Sequence, residues 1–250
     1  MTKGYSSLPI KAVALATGLG LGFLSYPILA ASGSGGDTVR GLYDVLLNTM
    51  KSGHALGQSG RFMQLAPVIH RSFDIVSMVR LAVGPSWASL TEAQRQRATE
   101  GFGRYISAIY ADRFDGYAGQ KFEVTGEQPA PTGVIVKSQI VKANGEPVQV
   151  DYLMRRSGDS WLISDIYVDG AISEVATRRS EFAGILKAEG IDGLISALNR
   201  KADLLMINRG SLHARPSSST PTGSPSAVKP AGTTMAGRPE LALRWQLVPI

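Results

Sequence analysis

The chain has 250 residues, no cysteine, three histidines and a formal net charge of +6, and 44% of its residues are hydrophobic. That hydrophobic share suffices for a packed core and excludes disorder throughout; the lack of cysteine excludes disulfides, thiolate metal sites, a cysteine nucleophile and lipid attachment at an N-terminal cysteine. The charge sits at the ends, with Lys3 and Lys11 unopposed before residue 32 and Arg215, Lys229, Arg238 and Arg244 opposed only by Glu240 after residue 212, so the body is close to neutral and lacks the clustered basic face that a nucleic-acid partner requires.

Met1 to Lys11 is short and basic, Ala12 to Leu24 is apolar, and Ser25-Tyr26-Pro27 breaks the run ahead of the small residues Ala30, Ala31 and Ser32. This is the three-part layout of a secretory signal, which places the protein in a bacterial periplasm. Residues 1–31 are therefore read as a signal peptide. If it is not removed it becomes an inner-membrane anchor, because no charge interrupts residues 12–36 and about 20 apolar residues span a bilayer. Gly18, Gly20 and Gly22 fall inside this segment with no strand before them, which excludes a dinucleotide-binding loop.

From Asp37, Val39, Leu42, Tyr43, Leu46, Leu47 and Met50 recur at helical spacing, predicting an amphipathic helix that ends near Gly53. A second helical piece, Arg61 to Arg71, contains Pro67 and is expected to be short or kinked. Asp74 can cap a third, which carries Ile75, Met78, Val79 and Ala82 on one face and stops at Gly84-Pro85. Thr91-Glu92-Ala93-Gln94 is a capping box that opens a fourth, with Ala98, Phe102, Tyr105, Ile106, Ile109, Tyr110 and Phe114 as a broad apolar stripe.

After Gly116 the period changes to two. Lys121 to Glu127 is a candidate edge strand, Val134 to Lys142 and Val148 to Arg156 form a hairpin about Asn144-Gly145, and Gly158-Asp159-Ser160 turns into Trp161 to Val168. In the third strand Val148, Val150, Tyr152 and Met154 face one way and Gln149, Asp151 and Arg155 the other, so one face is covered and one is wet. Helices return at Ser173 to Glu189 and Asp192 to Asn208. Helices, a four-stranded antiparallel meander, then helices is an α+β layout, and one domain spans 37–208. Residues 213–250 hold six of the thirteen prolines among Ser, Thr and Gly, which predicts a disordered tail. The terminal alternation of Leu241, Leu243, Trp245 and Leu247 is read as chance.

Catalytic signatures are missing. The histidines His54, His70 and His213 are scattered and form no HExxH. Gly57-Gln58-Ser59-Gly60 lacks the spacing of a nucleophile elbow and reads as a turn and helix cap. Asp165 and Asp169 share a strand face but lie well over ~10 Å apart at ~3.3 Å per residue, too far for acid–base work, and are read as partners of Arg178 or Arg179. What is abundant is an apolar and aromatic set, including Phe73, Val79, Trp87, Phe102, Tyr105, Ile109, Tyr110, Tyr152, Met154, Ile166 and Phe182, that either fills a core or lines a cavity.

Three stretches, in this order and spacing, carry a resemblance. Phe73-Asp74-Ile75-Val76-Ser77-Met78-Val79-Arg80 runs into Val83-Gly84-Pro85-Ser86-Trp87, then Thr91 to Arg95 and Phe102. Val150-Asp151-Tyr152-Leu153-Met154-Arg155 leads to Trp161 through Gly170, and Arg179-Ser180-Glu181-Phe182 precedes Gly190, Asp192-Gly193-Leu194-Ile195 and Leu198. Together they resemble the MlaC-like family, the periplasmic auxiliary component of toluene-tolerance and phospholipid-trafficking ABC systems. The step from Gly170 to Arg179 is longer than in most of that family and looks more like the branch associated with hopanoid biosynthesis.

The resemblance implies a curved sheet under N- and C-terminal helices with an apolar cavity between them. It also implies a non-enzymatic lipid-transfer protein, without cofactor, that moves a phospholipid or hopanoid between an inner-membrane transporter complex and an outer-membrane lipoprotein. The positions read as lining the cavity are Trp87, Tyr105, Ile109, Tyr152, Met154, Ile166 and Phe182. Such a carrier has a physical purpose: an acyl chain of about 16 carbons carries ~12 kcal/mol of transfer free energy at ~0.8 per methylene, which blocks unassisted passage through water.

Two other readings stay open. An NTF2-like pocket could host a small enzyme acting on steroid-like or terpenoid molecules, which requires a deep ionisable residue with a shifted pKa. Alternatively an envelope interaction module could use its basic tail on anionic headgroups. Deleting residues 213–250 separates the last from a carrier: a carrier retains its co-purifying lipid, measured by mass spectrometry of an organic extract, and a tail-dependent module loses its membrane association.

Overall fold

The computed structural model describes Met1 and residues 33–207. The signal segment, the proline-rich tail, His213 and the terminal alternation lie outside the described residues. Among the described residues, no helix is long and apolar enough to cross a membrane.

Helix α1 (Gly35–Lys51) starts at Ser34, whose side chain accepts from the Asp37 amide while Asp37 returns the bond to the Ser34 amide at 2.7 Å. Helix α2 (Gly53–Ser72) extends further toward the N-terminus than its apolar spacing suggests, and its break is elsewhere than expected. The chain turns at Gly57, φ 60°, a conformation open mainly to glycine, while the helix runs on through Pro67. The carbonyl that Pro67 strands belongs to Met63, an exposed residue whose carbonyl does not need a partner within the protein. Asp74 caps α3 (Ile75–Val83) through the Ser77 amide at 3.0 Å, and Gly84, φ 74°, ends it in a 3-10 turn, Gly84–Ser89. Thr91 and Gln94 form the expected capping box of α4 (Glu92–Arg113).

Five strands follow where four were expected: β1 (Lys121–Ala130), β2 (Gly133–Val141), β3 (Pro147–Ser157), β4 (Ser160–Val168) and β5 (Ile172–Ser173), paired antiparallel in chain order. Asp169 and Gly170, both with positive φ, fold the chain back after β4 so that Ile172 pairs with Val168; two residues are too few to leave a period-2 pattern. Asn144-Gly145 forms the β2–β3 turn, and the register sets Val136 opposite Tyr152 and Tyr152 opposite Ile166. Irregularities at Val124/Gly126 and at Leu153/Met154 bend the sheet. The last helical span, α5 (Glu174–Ile207), breaks at Gly190, φ 66°, into the two helices expected on either side of it.

The covered sheet face packs on α1 and, with α3 to α5, forms one core. Thr38 Oγ1 donates to the Trp161 carbonyl at 3.0 Å, and the Gly36 amide to Glu127 at 2.8 Å, holding α1 across the sheet. The Asp74 amide donates to the Ile163 carbonyl at 2.8 Å, which sets the α2–α3 junction on β4. On the wet face Asp151 is nonetheless buried, because Lys137 Nζ at 2.5 Å and Gln149 at 3.0 Å close over it.

Buried Arg61 ties α2 to its neighbours, donating to the Ala111 carbonyl at 2.7 Å, the Gly53 carbonyl at 2.8 Å and Gln58 at 2.5 Å. Gly53 is required there, since a Cβ would sit 2.0 Å from the Asp115 carbonyl oxygen. Arg61→Met strands these buried acceptors and is expected to lower stability by about 3 kcal/mol, read as a fall in urea midpoint at unchanged slope.

Candidate functional site

Residue Asp165 decides how α5 meets the sheet. Its carboxylate accepts from the Val175 amide at 3.1 Å, the Ser173 hydroxyl at 2.5 Å and its neighbour Ile166 at 2.8 Å. Asp165 therefore caps α5 rather than pairing with Arg178 or Arg179 as expected, because the helix N-terminus offers amides that need an acceptor. This anchoring turns Glu174 and Val175 inward and places Arg178 one helical turn further on.

An apolar cavity lies between β4 and helices α3, α4 and α5. Phe73, Met78, Phe102, Ile106, Ile109, Tyr110, Ile166 and Val175 wall it, and Glu174 and Arg178 are its two charged lining residues. Its volume is about 40 Å³. A larger recess of about 340 Å³ lies elsewhere, between the start of α1, the end of α2 and the β3–β4 turn. It shares no lining residue with the apolar cavity, and Ser34, Asp37, Arg71, Ser72 and Asp159 make its walls unsuited to hydrocarbon.

Of the seven side chains read as lining a cavity, the fold brings Ile109 and Ile166 together on this one. Tyr105 is buried beside its charged end, with the Arg178 guanidinium and the Lys201 ammonium each 5.7 Å from its ring centroid. Phe182 packs edge-to-face on Phe102 at 6.1 Å, behind the wall. Tyr152 lies under α1 against Tyr43 at 5.9 Å, and Met154 is fully buried near Gly35. Trp87 is half-buried on the 3-10 turn, its carbonyl accepting from Arg95 at 3.4 Å. Helical and strand stripes identify inward-facing residues but not which of them meet a gap.

Glu174 is the feature that the sequence reading missed. It is 6% exposed, and its Oε2 has no hydrogen-bond partner and lies 3.9 Å from Arg178 Nη2. Arg178 Nη1 is held instead by Glu181 at 2.7 Å. Burial pushes the Glu174 carboxyl up to about 8; Asp165 and Glu181 add to the rise, and Arg178 and Arg113 oppose it. Position 174 sits in the first turn of a helix, where a glutamate ordinarily faces water and the macrodipole, and one turn from Arg178 it reads as a surface pair. This residue meets the requirement set by the enzyme reading for a deep, perturbed ionisable group. Among the described residues, no cluster of His, Asp and Glu side chains could hold a metal ion.

A family model described as MlaC protein matches residues 41–200. A curated protein of Haemophilus influenzae, the intermembrane phospholipid transport system binding protein MlaC, is 26% identical over 125 residues, covering 48% of this chain and 58% of the relative. The chain thus spans somewhat over half the length of that relative. Among solved structures, the phospholipid-binding protein from Ralstonia solanacearum in complex with a phospholipid is 26% identical with a TM-score of 0.61, covering 69% of this chain and 99% of that one.

The charged end of the cavity has a measurable signature. Glu174 has a folded-state pKa above its ordinary 4.5, so between about pH 4.5 and 8 the folded chain keeps a proton that the unfolded chain has released, and stability from this group is lost as pH rises through that window. Glu174→Gln is expected to remove this loss: urea unfolding should find the variant equal to the parent near pH 4 and more stable near pH 9 by at least about 1 kcal/mol, the worth of one pKa unit.

Proposed function

The chain belongs to the MlaC family, and from that premise we propose that it is a periplasmic lipid carrier that binds a phospholipid and passes it between membrane-bound transport components. The likeness to a phospholipid-binding protein over 69% of the chain carries this reading. The cavity between β4 and α3 to α5 supports it, because hydrocarbon needs apolar walls and these are almost wholly apolar. The basic, apolar and small-residue layout of residues 1–31 supports export to the periplasm. The inner-membrane transporter complex and outer-membrane lipoprotein that the family implies are proposed as the donor and acceptor between which the cargo moves.

At about 40 Å³ the cavity is well below the ~300–1,000 Å³ of sites that hold small ligands. Loading an acyl chain then requires α3 to α5 to draw away from β4. The 3-10 turn at Gly84–Ser89 and the helix break at Gly190 are the joints available to these walls. A pentacyclic hopanoid is the second cargo reading, and the long step from Gly170 to Arg179 favours it: this stretch builds β5 and the first turn of α5, including Glu174 at the cavity.

Mass spectrometry of an organic extract from protein purified out of its native envelope is expected to return a phospholipid, and a hopanoid in its place would select the second reading; an empty extract would sink both. Ile109→Arg places a charge in the cavity wall and is expected to lose most co-purifying lipid while circular dichroism stays unchanged. Tyr152→Arg, by contrast, strikes the packed layer under α1 and is expected to unfold the chain.

A further inference from the structure

The outward face of α3 is unlike that of its neighbours. Ile75, Met78, Val79, Ala82 and Val83 are buried, which at about 100° per residue leaves Val76, Ser77, Arg80 and Leu81 on one outward arc. Val76 is 55% exposed and Leu81 44%. Helix α4, by contrast, turns Glu92, Gln96, Arg97 and Glu100 to water. Between Ile75 and Thr91 Arg80 is the only charged side chain, so the run continues without an acid through exposed Pro85 to half-buried Trp87 on the 3-10 turn. Arg95 fixes that turn by donating to the Trp87 and Ala88 carbonyls at 3.4 and 3.1 Å. Two arginines border this edge. Arg80 stands on the outward arc itself, and the Arg179 guanidinium of α5 lies across Gly84, 3.3 Å from where a Cβ would stand. Among the described residues neither makes an ion pair. The neighbouring acids are engaged elsewhere, Asp74 with the Ser77 amide and Glu181 with Arg178.

We propose that the outward face of α3 and the 3-10 turn after it dock directly on a bilayer containing anionic lipid, with Val76, Leu81 and Trp87 entering the interface and Arg80 and Arg179 against its negative charge. The inference rests on the carrier reading and adds a route to it: cargo passes between the cavity and the bilayer itself, besides any exchange with protein components. A bilayer interface sets hydrocarbon beneath a layer of negative charge, which is the order that exposed apolar side chains bordered by arginines complement. Tryptophan, apolar in body and polar at one edge, suits that boundary. Each arginine near an anionic surface strengthens attachment about fivefold. Size favours a lipid surface over a protein partner. At 1.5 Å per residue the nine residues of α3 extend about 14 Å, and with one turn they offer far less than the ~800 Å² that each side of a stable protein interface buries. The same helix carries Met78 into the cavity wall, and the 3-10 turn is one of the joints available to that wall. A bilayer that holds this edge therefore takes hold of the wall that must move for loading.

A chain without cysteine accepts a single labelled site. Leu81→Cys, with Gln96→Cys on the exposed face of α4 as control, is labelled in the full chain with an environment-sensitive nitrobenzoxadiazole dye. Each is mixed with vesicles of phosphatidylcholine alone or of phosphatidylcholine and deuterated phosphatidylglycerol in equal parts. The dye at residue 81 is expected to shift to the blue and brighten at least twofold on the anionic vesicles, to respond much less on the neutral ones, and to lose its response as salt screens the charges. The dye at residue 96 should stay in water. Such a dye reports only its own surroundings, so contact of residues 1–31 with the vesicle does not imitate the result. Adding Arg80→Gln/Arg179→Gln to Leu81→Cys should weaken the vesicle titration at least tenfold with circular dichroism unchanged, since both side chains are exposed. Uptake of the deuterated lipid, read by mass spectrometry after gel filtration, should fall with it. Equal responses at residues 81 and 96, or a response at 81 indifferent to anionic lipid and to both arginines, overturn the docking face. Undiminished uptake in the arginine variant, or none in the wild type, overturns the route from the bilayer. The carrier reading has its own readout, the lipid that co-purifies from the native envelope. A silent dye at residue 81 in a chain that carries such lipid overturns the docking face alone and leaves a protein as the partner of α3. A responsive dye in a chain that carries none upholds the docking face and overturns the carrier reading.

Discussion

Val136, Val148, Val150, Tyr152, Met154, Ile163 and Ile166 are all buried members of the sheet, and a sheet with one apolar face must be covered on that side. The N-terminal helices come before the strands and the last helix after them, so the cover is assembled from both ends of the domain. α1 is fixed across β1 to β4 by bonds from Gly36 and Thr38, and the α2–α3 junction is fixed on β4 through Asp74. α5 arrives last, and its position depends on the Asp165 carboxylate, which receives the Val175 amide in its first turn. The cavity lies where these separately anchored pieces meet, over β4.

That origin accounts for the mixed character of the cavity. Its walls are side chains that the hydrophobic effect places inward in any case, such as Phe102, Ile106, Ile109 and Ile166. Its polar end is a consequence of capping: the turn through Asp169 and Gly170 and the bonds to Asp165 rotate the first turn of α5 so that Glu174 points into hydrocarbon rather than water. A carboxylate in that position is costly when charged, and the rise in its pKa expresses that cost. The two exposed pairs between α4 and α5, Arg97 with Asp192 and Arg104 with Asp203, lie in water and contribute little stability by comparison. Electrostatics thus matters most at the cavity, where solvent is excluded.

The site was only partly legible in the chain. Ile109 and Ile166 stand on clear apolar stripes and do reach the cavity, but Tyr105, Phe182, Tyr152 and Met154 stand on stripes equally clear and pack elsewhere, beside Arg178, Phe102, Tyr43 and Gly35 respectively. Periodicity reports which face of an element is buried, and every residue on that face looks alike until its neighbours across the core are known. Glu174 carried a misleading local signal, an acid in a helix first turn with an arginine four residues on. Likewise, Pro67 pointed to a kink that its exposed surroundings made unnecessary, while Gly57 supplied the actual break.

What the sequence determined alone is what local chemistry dictates: the caps at Asp74 and Thr91, the Asn144-Gly145 hairpin, the alternating third strand, the order helices–sheet–helices, and a chain without cysteine chemistry. Each depends on residues within a few positions of one another, so spacing is sufficient information. Tertiary structure alone decided that a fifth strand closes the sheet edge, that Asp151 is buried on the wet face, that the cavity is as small as about 40 Å³, and that one glutamate faces it. Those outcomes depend on how segments up to about a hundred residues apart fill the same space, and dense packing makes that a property of the whole assembly rather than of any stretch within it.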